Sequence, residues 1–198
     1  VVITYLSSSK EAQQTCRAIQ KKGVRSLALA VDQRDPDQVR RAVAQLESRF
    51  GRLDVLINNA SNFYPTPLET ATPTQWDDLI QTNLSGPWYF SQAVAPIMRR
   101  QKGGKIIHLV DVAAFHPWKN YLPYCAAKGG LVTLTHGLAK ALAPHVQVNG
   151  IAPGPILFPP GMSLTERKKA LARTLLKRRG SPEDIAQAVL FLVEKTDF

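Results

Sequence analysis

Short apolar runs alternate with helix-patterned segments along the 198 residues, and this alternation predicts an α/β fold: one domain built as a doubly wound parallel sheet. Three observations carry the prediction. The runs are rich in Val, Ile and Leu, as strands covered on both faces must be. The segments between them repeat apolar residues at helical spacing. Neither a composition shift nor a repeat divides the chain, and 44% apolar content is enough to bury a core.

Strands are expected at residues 1–5, 26–31, 53–58, 105–110 and 147–151. Asp35-Pro36 supplies the cap and first-turn proline of a helix with the stripe Val39, Val43, Leu46 and Phe50, and Gly51 stops it. Thr72-Pro73 opens a second helix carrying Trp76, Leu79, Ile80 and Asn83. The 123–143 segment reads as a third. Ser181-Pro182-Glu183-Asp184 starts the last, with Ile185, Ala188, Val189 and Leu192 facing inward. The chain opens on a buried-type strand without a glycine-rich Gly-x-Gly-x-x-Gly or Gly-x-x-x-Gly-x-Gly loop, which in dinucleotide folds holds the pyrophosphate. Residues 1–198 are therefore expected to form a Rossmann-like domain truncated at both ends, lacking its first strand with that loop and its last strand.

Bulk properties exclude several classes. No run of eighteen apolar residues and no signal peptide is present, so a membrane span is not expected and a cytoplasmic protein is. Cys16 and Cys125 form neither a disulfide framework nor a metal spacing, and the four histidines show no ligand pattern, so no metal is assigned. The formal charge of +10 raises nucleic acid as a partner. Between Ser163 and Gly180, however, seven basic residues stand against Glu166 alone, interleaved with Leu164, Leu171, Leu175 and Leu176. That pattern reads as an amphipathic helix with a solvated basic face, or as a lid drawing in an anionic cofactor or substrate, and no nucleic-acid partner is expected.

The chemistry is carried by Tyr124, Lys128 and Asp111. On a helix the four-residue step stacks phenol and ammonium about 5 to 6 Å apart at their β-carbons. A cation beside the phenol is expected to favour phenolate and let Tyr124 exchange a proton near neutral pH. Such pairs also arise by chance on helices, so the neighbouring segments decide the matter.

Those segments are Asn58-Asn59-Ala60-Ser61 at a strand end, Asn83 within Thr82-Asn83-Leu84, Pro153-Gly154-Pro155 after the last strand, and Asp32 after Leu27 to Val31. Together with Tyr124 and Lys128 they resemble the short-chain dehydrogenase/reductase family over essentially the whole chain. The resemblance implies that Tyr124 donates a proton and that Lys128 tunes it and holds the nicotinamide ribose. It also implies that Asn83 holds a water for proton relay. Asn59, Ala60, Ser61, Pro153 and Gly154 would line the cofactor, and Asp32 would contact adenine. A homotetramer built through the long helices is implied as well. Ser7, Ser8 and Lys10, with no acid at the end of the first strand, favour NADPH over NADH.

Most of that family has serine where this chain has Asp111. The aspartate thirteen residues before Tyr124, together with Asn59 to Leu68, resembles pteridine reductases, and a carboxylate suits the amino and ring N–H groups of a pterin. Ser61, Phe63, Asp111 and Tyr124 would then bind substrate, with Phe63 stacking on the pterin. The expected activity is NADPH-dependent reduction of a dihydropterin, with dihydrofolate as a possible further substrate. The rivals are a general ketone or 3-oxoacyl-thioester reductase and an inactive binding or assembly member.

Overall fold

The computed structural model describes residues 1–158 and 161–195. Five parallel strands alternate with helices: β1 (Val2–Tyr5), α1 (Ser9–Gln20), β2 (Leu27–Ala30), α2 (Pro36–Phe50), β3 (Val55–Asn58), α3 (Pro73–Ile80), α4 (Gly86–Gln101), β4 (Gly104–Leu109), α5 (Leu122–Leu142), β5 (Val146–Ile151), α6 (Leu164–Ala172) and α7 (Pro182–Glu194). Each predicted strand is present, with ends displaced by a residue or two.

The ladders fall into two groups, β1 with β2, and β3 with β4 and β5, all parallel. The chain thus winds outward from β1 to β2 and, in a second run, from β3 to β5. Among the described residues no ladder joins β1 to β3, so the doubly wound sheet stands as two segments rather than one continuous ladder. Packing connects them. Val39 and Val43 of α2 share one core with Val94, Ile97 and Met98 of α4, Ile106 of β4 and Val146 and Val148 of β5. At the C-terminal strand ends Gln33, just after β2, donates to the carbonyls of Thr82 at 2.8 Å and Ala60 at 3.4 Å. Both sheet segments therefore open toward one crevice, where ligands bind in folds of this kind.

Local signals explain the helices. Asp35 caps α2 by accepting from the N–H groups of Asp37 and Gln38, and Gly51 ends it at φ 73°, a left-handed conformation that glycine adopts without strain. Thr72 and Gln75 form a capping box at α3, as do Ser181 and Asp184 at α7. α3 does not run smoothly into α4. A π-helical turn over Gln81–Ser85 intervenes and carries Asn83, and such turns recur at functional sites.

α3 exposes one large apolar side chain, and one expectation changes. Trp76 is 48% exposed, because the apolar side of α3 is turned inward by the fully buried Leu79 and not by the indole. The basic segment is not one amphipathic helix: α6 stops at Ala172, and Leu175 and Leu176 fall in turns beyond it at 95% and 73% exposure. Lys177 there has a left-handed φ of 53°, incompatible with a continuing helix. α7 turns Ile185, Ala188, Val189 and Leu192 to a half-buried face.

Leu79 packs with Ala113, Tyr124 and Cys125 in a second small core beneath the crevice. Leu79→Ala is expected to lower unfolding free energy by about 2 to 5 kcal/mol, the cost of emptying a buried leucine site, as read by urea denaturation.

Candidate active site

β4 ends at Leu109, and two residues later Asp111 turns the chain. Its Oδ1 accepts from the Ala113 N–H at 2.8 Å and caps a short 3-10 turn over Val112–Ala114. That leaves Oδ2 to accept from the Tyr124 hydroxyl at 2.8 Å. One turn along α5, Lys128 donates from Nζ to the Leu109 carbonyl at 2.8 Å, with Nζ 5.7 Å from the centre of the Tyr124 ring. Tyr124 and Lys128 are both buried. The predicted stacking of phenol and ammonium is present, and Asp111 joins them from the strand end.

The electrostatics differ from the sequence expectation. Burial raises the Tyr124 phenol well above its ordinary value, and the Asp111 charge and hydrogen bond raise it further, while Ser61 opposes. Lys128 does not bring it down. Its ammonium is directed at the Leu109 carbonyl and stands over the ring rather than against the phenol oxygen. Burial instead lowers Lys128 itself to about 8, with Asp111 pulling the other way. Tyr124 therefore keeps its proton at neutral pH and is poised as an acid. His108, on β4, is lowered to about 4 by burial and then by the Lys128 charge; its ring sits between Thr135 Oγ1 at 2.8 Å and Ser91 Oγ at 3.3 Å.

Asn83 is fully buried in the π turn. Its Oδ1 accepts from Ser61 Oγ at 2.5 Å, and its Nδ2 donates to Asn62 Oδ1 at 2.6 Å, to the Leu79 carbonyl at 3.0 Å and to the Asn62 carbonyl at 3.1 Å. The side chain expected to hold a relay water thus ties the loop after β3 to the helix, and any water there would share these groups. Asn62 in turn donates to Asp78 Oδ2 at 2.6 Å, which also accepts from the Tyr64 hydroxyl at 2.8 Å.

Phe63 is 38% exposed. It stacks on Tyr121 with centroids 4.6 Å apart and planes 5° apart, and meets Tyr124 edge-on at 4.9 Å and Trp118 at 6.1 Å. One face of Phe63 is covered by Tyr121, and the ring keeps 38% exposure at the crevice. Sequence reasoning missed Tyr121, Trp118, Asn62 and Asp78. Tyr121 precedes Tyr124 by one helical turn, and that spacing was the available signal.

The residues expected to hold a cofactor lie along the same crevice. Ser7 and Ser8 are exposed at the start of α1, and Ser8 occupies the cap position without a side-chain bond to the helix. Asn59, Ala60 and Ser61 are exposed just past β3. The Pro153 carbonyl accepts from the Val112 N–H at 3.2 Å, which sets the Pro153-Gly154 turn beside Asp111. Asp32 differs: its carboxylate is held by the Arg34 guanidinium at 2.7 to 3.1 Å, leaving an adenine little of its acceptor capacity. Among the described residues no cluster of His, Cys, Asp or Glu could hold a metal, and no helix is long and apolar enough to cross a membrane.

A family profile described as enoyl-(acyl carrier protein) reductase matches residues 1–197. The chain belongs to the short-chain dehydrogenase/reductase family. It is an oxidoreductase of that family. The 3-oxoacyl-[acyl-carrier-protein] reductase of Staphylococcus aureus is 35% identical over 195 residues, 97% of this chain and 79% of the relative. The enzyme of the same name from Thermotoga maritima is 37% identical over 161 residues, 80% of this chain and 65% of the relative. Among solved structures, a short-chain dehydrogenase from Burkholderia cenocepacia in complex with NADP superposes with a TM-score of 0.89 at 31% identity, covering 98% of this chain and 79% of that one. These relatives agree with the family resemblance and align with its 3-oxoacyl branch. The pteridine-reductase resemblance rests on Asp111 and the 59–68 segment.

Lys128 loses its ammonium as pH rises through about 8, whereas Tyr124 ionises far above that range. The rate of reduction is therefore expected to fall on the alkaline side with a midpoint near 8. In Lys128→Arg, which keeps its charge, whatever activity remains should show that limb displaced upward in initial rates measured across pH.

Proposed function

We propose that this short-chain dehydrogenase/reductase uses NADPH to reduce the C=N bond of a dihydropterin, giving the tetrahydropterin, with dihydrofolate as a second substrate. The observation that carries the proposal is the Asp111 carboxylate, whose Oδ2 accepts from the Tyr124 hydroxyl beside the part-exposed Phe63 ring. With Oδ1 taken by the Ala113 N–H, Oδ2 would accept from an N–H donor of the pterin as Tyr124 turns to the substrate. The proton for the reduced nitrogen comes from Tyr124 Oη. Phe63 offers an apolar face to the flat ring, and Tyr121 and Trp118 hold Phe63 in place.

The residues present fit a 2′-phosphorylated dinucleotide. Exposed Ser7, Ser8 and Lys10 stand at the N-terminus of α1 with no acid at the end of β1, and the first acid, Glu11, follows Lys10 in the helix. Asn59, Ala60, Ser61, Pro153, Gly154 and Lys128 would hold the nicotinamide half of the cofactor, which supplies the hydride when bound. The family resemblance also carries a cytoplasmic homotetramer, supported by exposed Trp88 on α4 and Leu122 at the start of α5.

A second reading is reduction of a 3-oxoacyl thioester. The named relatives favour it more strongly than the pterin, since they carry that activity in their names at up to 37% identity. The residues of this site favour the pterin, because Asp111 offers a ketone oxygen no donor of its own.

NADPH oxidation with dihydrobiopterin, dihydrofolate and a 3-oxoacyl thioester separates the two. Pterin turnover is expected to exceed thioester turnover. Asp111→Ser should reduce kcat/KM for the pterin by about 10- to 150-fold, the worth of a hydrogen bond to a charged group. Wild-type-like pterin turnover in that variant, or thioester turnover alone in the unaltered enzyme, would overturn the proposal. Ser7→Asp should reduce the NADPH:NADH preference by at least about tenfold through like-charge repulsion, and an unchanged preference would remove Ser7 from the phosphate site.

A further inference from the structure

Asp78 lies in the last turn of α3, next to the chemically similar Asp77, and the reaction described above gives it no role. Its surroundings single it out. Oδ1 accepts from Arg34 Nη1 at 2.9 Å, and Oδ2 accepts from Asn62 Nδ2 at 2.6 Å and from the Tyr64 hydroxyl at 2.8 Å. These donors come from two separate segments, the turn after β2 and the loop after β3. Burial, then the Asp78 hydrogen bond and charge, push the Tyr64 phenol up to about 12, so Tyr64 stays a donor at neutral pH.

From Asn62 the hydrogen bonds continue inward. Asn62 Oδ1 accepts from Asn83 Nδ2, and Asn83 Oδ1 accepts from Ser61 Oγ. Between Asn62 and Tyr64 stands Phe63. The two side chains that anchor to Asp78 therefore bracket the aromatic residue that meets Tyr124 edge-on, and Asn62 adjoins Ser61. A loop of this kind has few backbone ladder bonds of its own. Its only backbone hydrogen bond to a distant segment recorded among the described residues is from Thr66 N to the Asn120 carbonyl at 2.7 Å.

We propose that Asp78 is a positioning residue: its carboxylate fixes the 61–64 loop so that Ser61 stays bonded to Asn83 and Phe63 keeps its place edge-on to Tyr124 at the substrate crevice. It touches neither substrate nor cofactor and acts through Asn62 and Tyr64. The proposal rests on the reading of the Tyr124 site as the reducing site, and it applies to either substrate. Activity of the unaltered enzyme toward the pterin or the thioester tests that reading first and independently.

Asp78→Ala removes every acceptor while favouring the helix it sits on. Against the substrate turned over by the unaltered enzyme, it is expected to lower kcat/KM about tenfold, mainly by raising the substrate KM, with the KM for NADPH and the thermal midpoint little changed. In a Ser61→Ala background the same substitution should cost less than about threefold, because the two residues act along one chain of bonds. Asp78→Asn should recover most of the loss. An amide oxygen can still accept from Asn62 and Tyr64 when its NH2 is turned toward the Arg34 side.

Unchanged kcat/KM in Asp78→Ala would overturn the proposal, as would additive losses with Ser61→Ala or an asparagine no better than alanine. A fall in kcat that merely tracks lost folded protein would do the same. Should Asp78→Ala not fold, Asn62→Ala severs the same chain one link along and carries the same expectations.

Discussion

Lys128 places an ammonium where little water reaches, and its hydrogen bond to the Leu109 carbonyl fixes how α5 lies against the end of β4. Burying such an ion costs several kcal/mol unless partners compensate it. Here a strand-end carbonyl, the face of the Tyr124 ring and the charge of Asp111 do so. None of these partners can shift far without leaving the ammonium uncompensated. Because α5 is a single helix of 21 residues, fixing Lys128 also fixes Tyr124 one turn before it and the helix start that Tyr121 caps. Phe63 stacks on Tyr121 and meets Tyr124 edge-on, so the aromatic wall follows from the same anchor.

The same bond settles which way the phenol is tuned. A cation close to a phenol oxygen would favour phenolate, but Lys128 is held by a carbonyl, and the group nearest the oxygen is a carboxylate. Burial and the Asp111 charge act together against ionisation, and the Ser61 hydroxyl alone among the named neighbours acts for it. Tyr124 therefore keeps its proton, which suits the donor role proposed for it. Residues four apart are close enough to interact, yet the direction of the interaction depends on where the lysine's terminal amine finds its hydrogen bond.

That dependence marks the boundary of what the sequence discloses. Strand runs, the caps at Asp35, Thr72 and Ser181, and the stop at Gly51 are local, and each was legible because its physics is contained within a few residues. The pairing of Tyr124 with Lys128 was legible for the same reason. Asp111 was legible as a departure from a family pattern, although its bond to Tyr124 spans a strand end and a helix. Asp78 was not. Nothing in Trp76-Asp77-Asp78-Leu79 distinguishes one carboxylate from the other until α3 is set against the loop after β3, and only then does Asp78 meet Asn62, Tyr64 and Arg34. The leucines of the basic segment misled in the opposite sense: their helical spacing is real, but α6 ends before Leu175 and Leu176 can share its face.

The Asp111–Tyr124 hydrogen bond also constrains what can be reduced. For Tyr124 to donate to a substrate it must release Asp111, and a partly buried carboxylate that loses its donor costs about 1 to 3 kcal/mol or more. A ketone accepts the tyrosine's proton and offers nothing in return, so the carboxylate is left facing the lone pairs of the ketone oxygen. A serine at position 111 would escape that penalty, since a hydroxyl can turn and donate. A pterin ring presents an acceptor nitrogen at the reducible bond and N–H donors on the same planar framework. It can take the proton from Tyr124 while giving Asp111 a replacement donor. On the proposed reading, selectivity would come less from attraction to the pterin than from the unsatisfied carboxylate that other carbonyl substrates would leave behind.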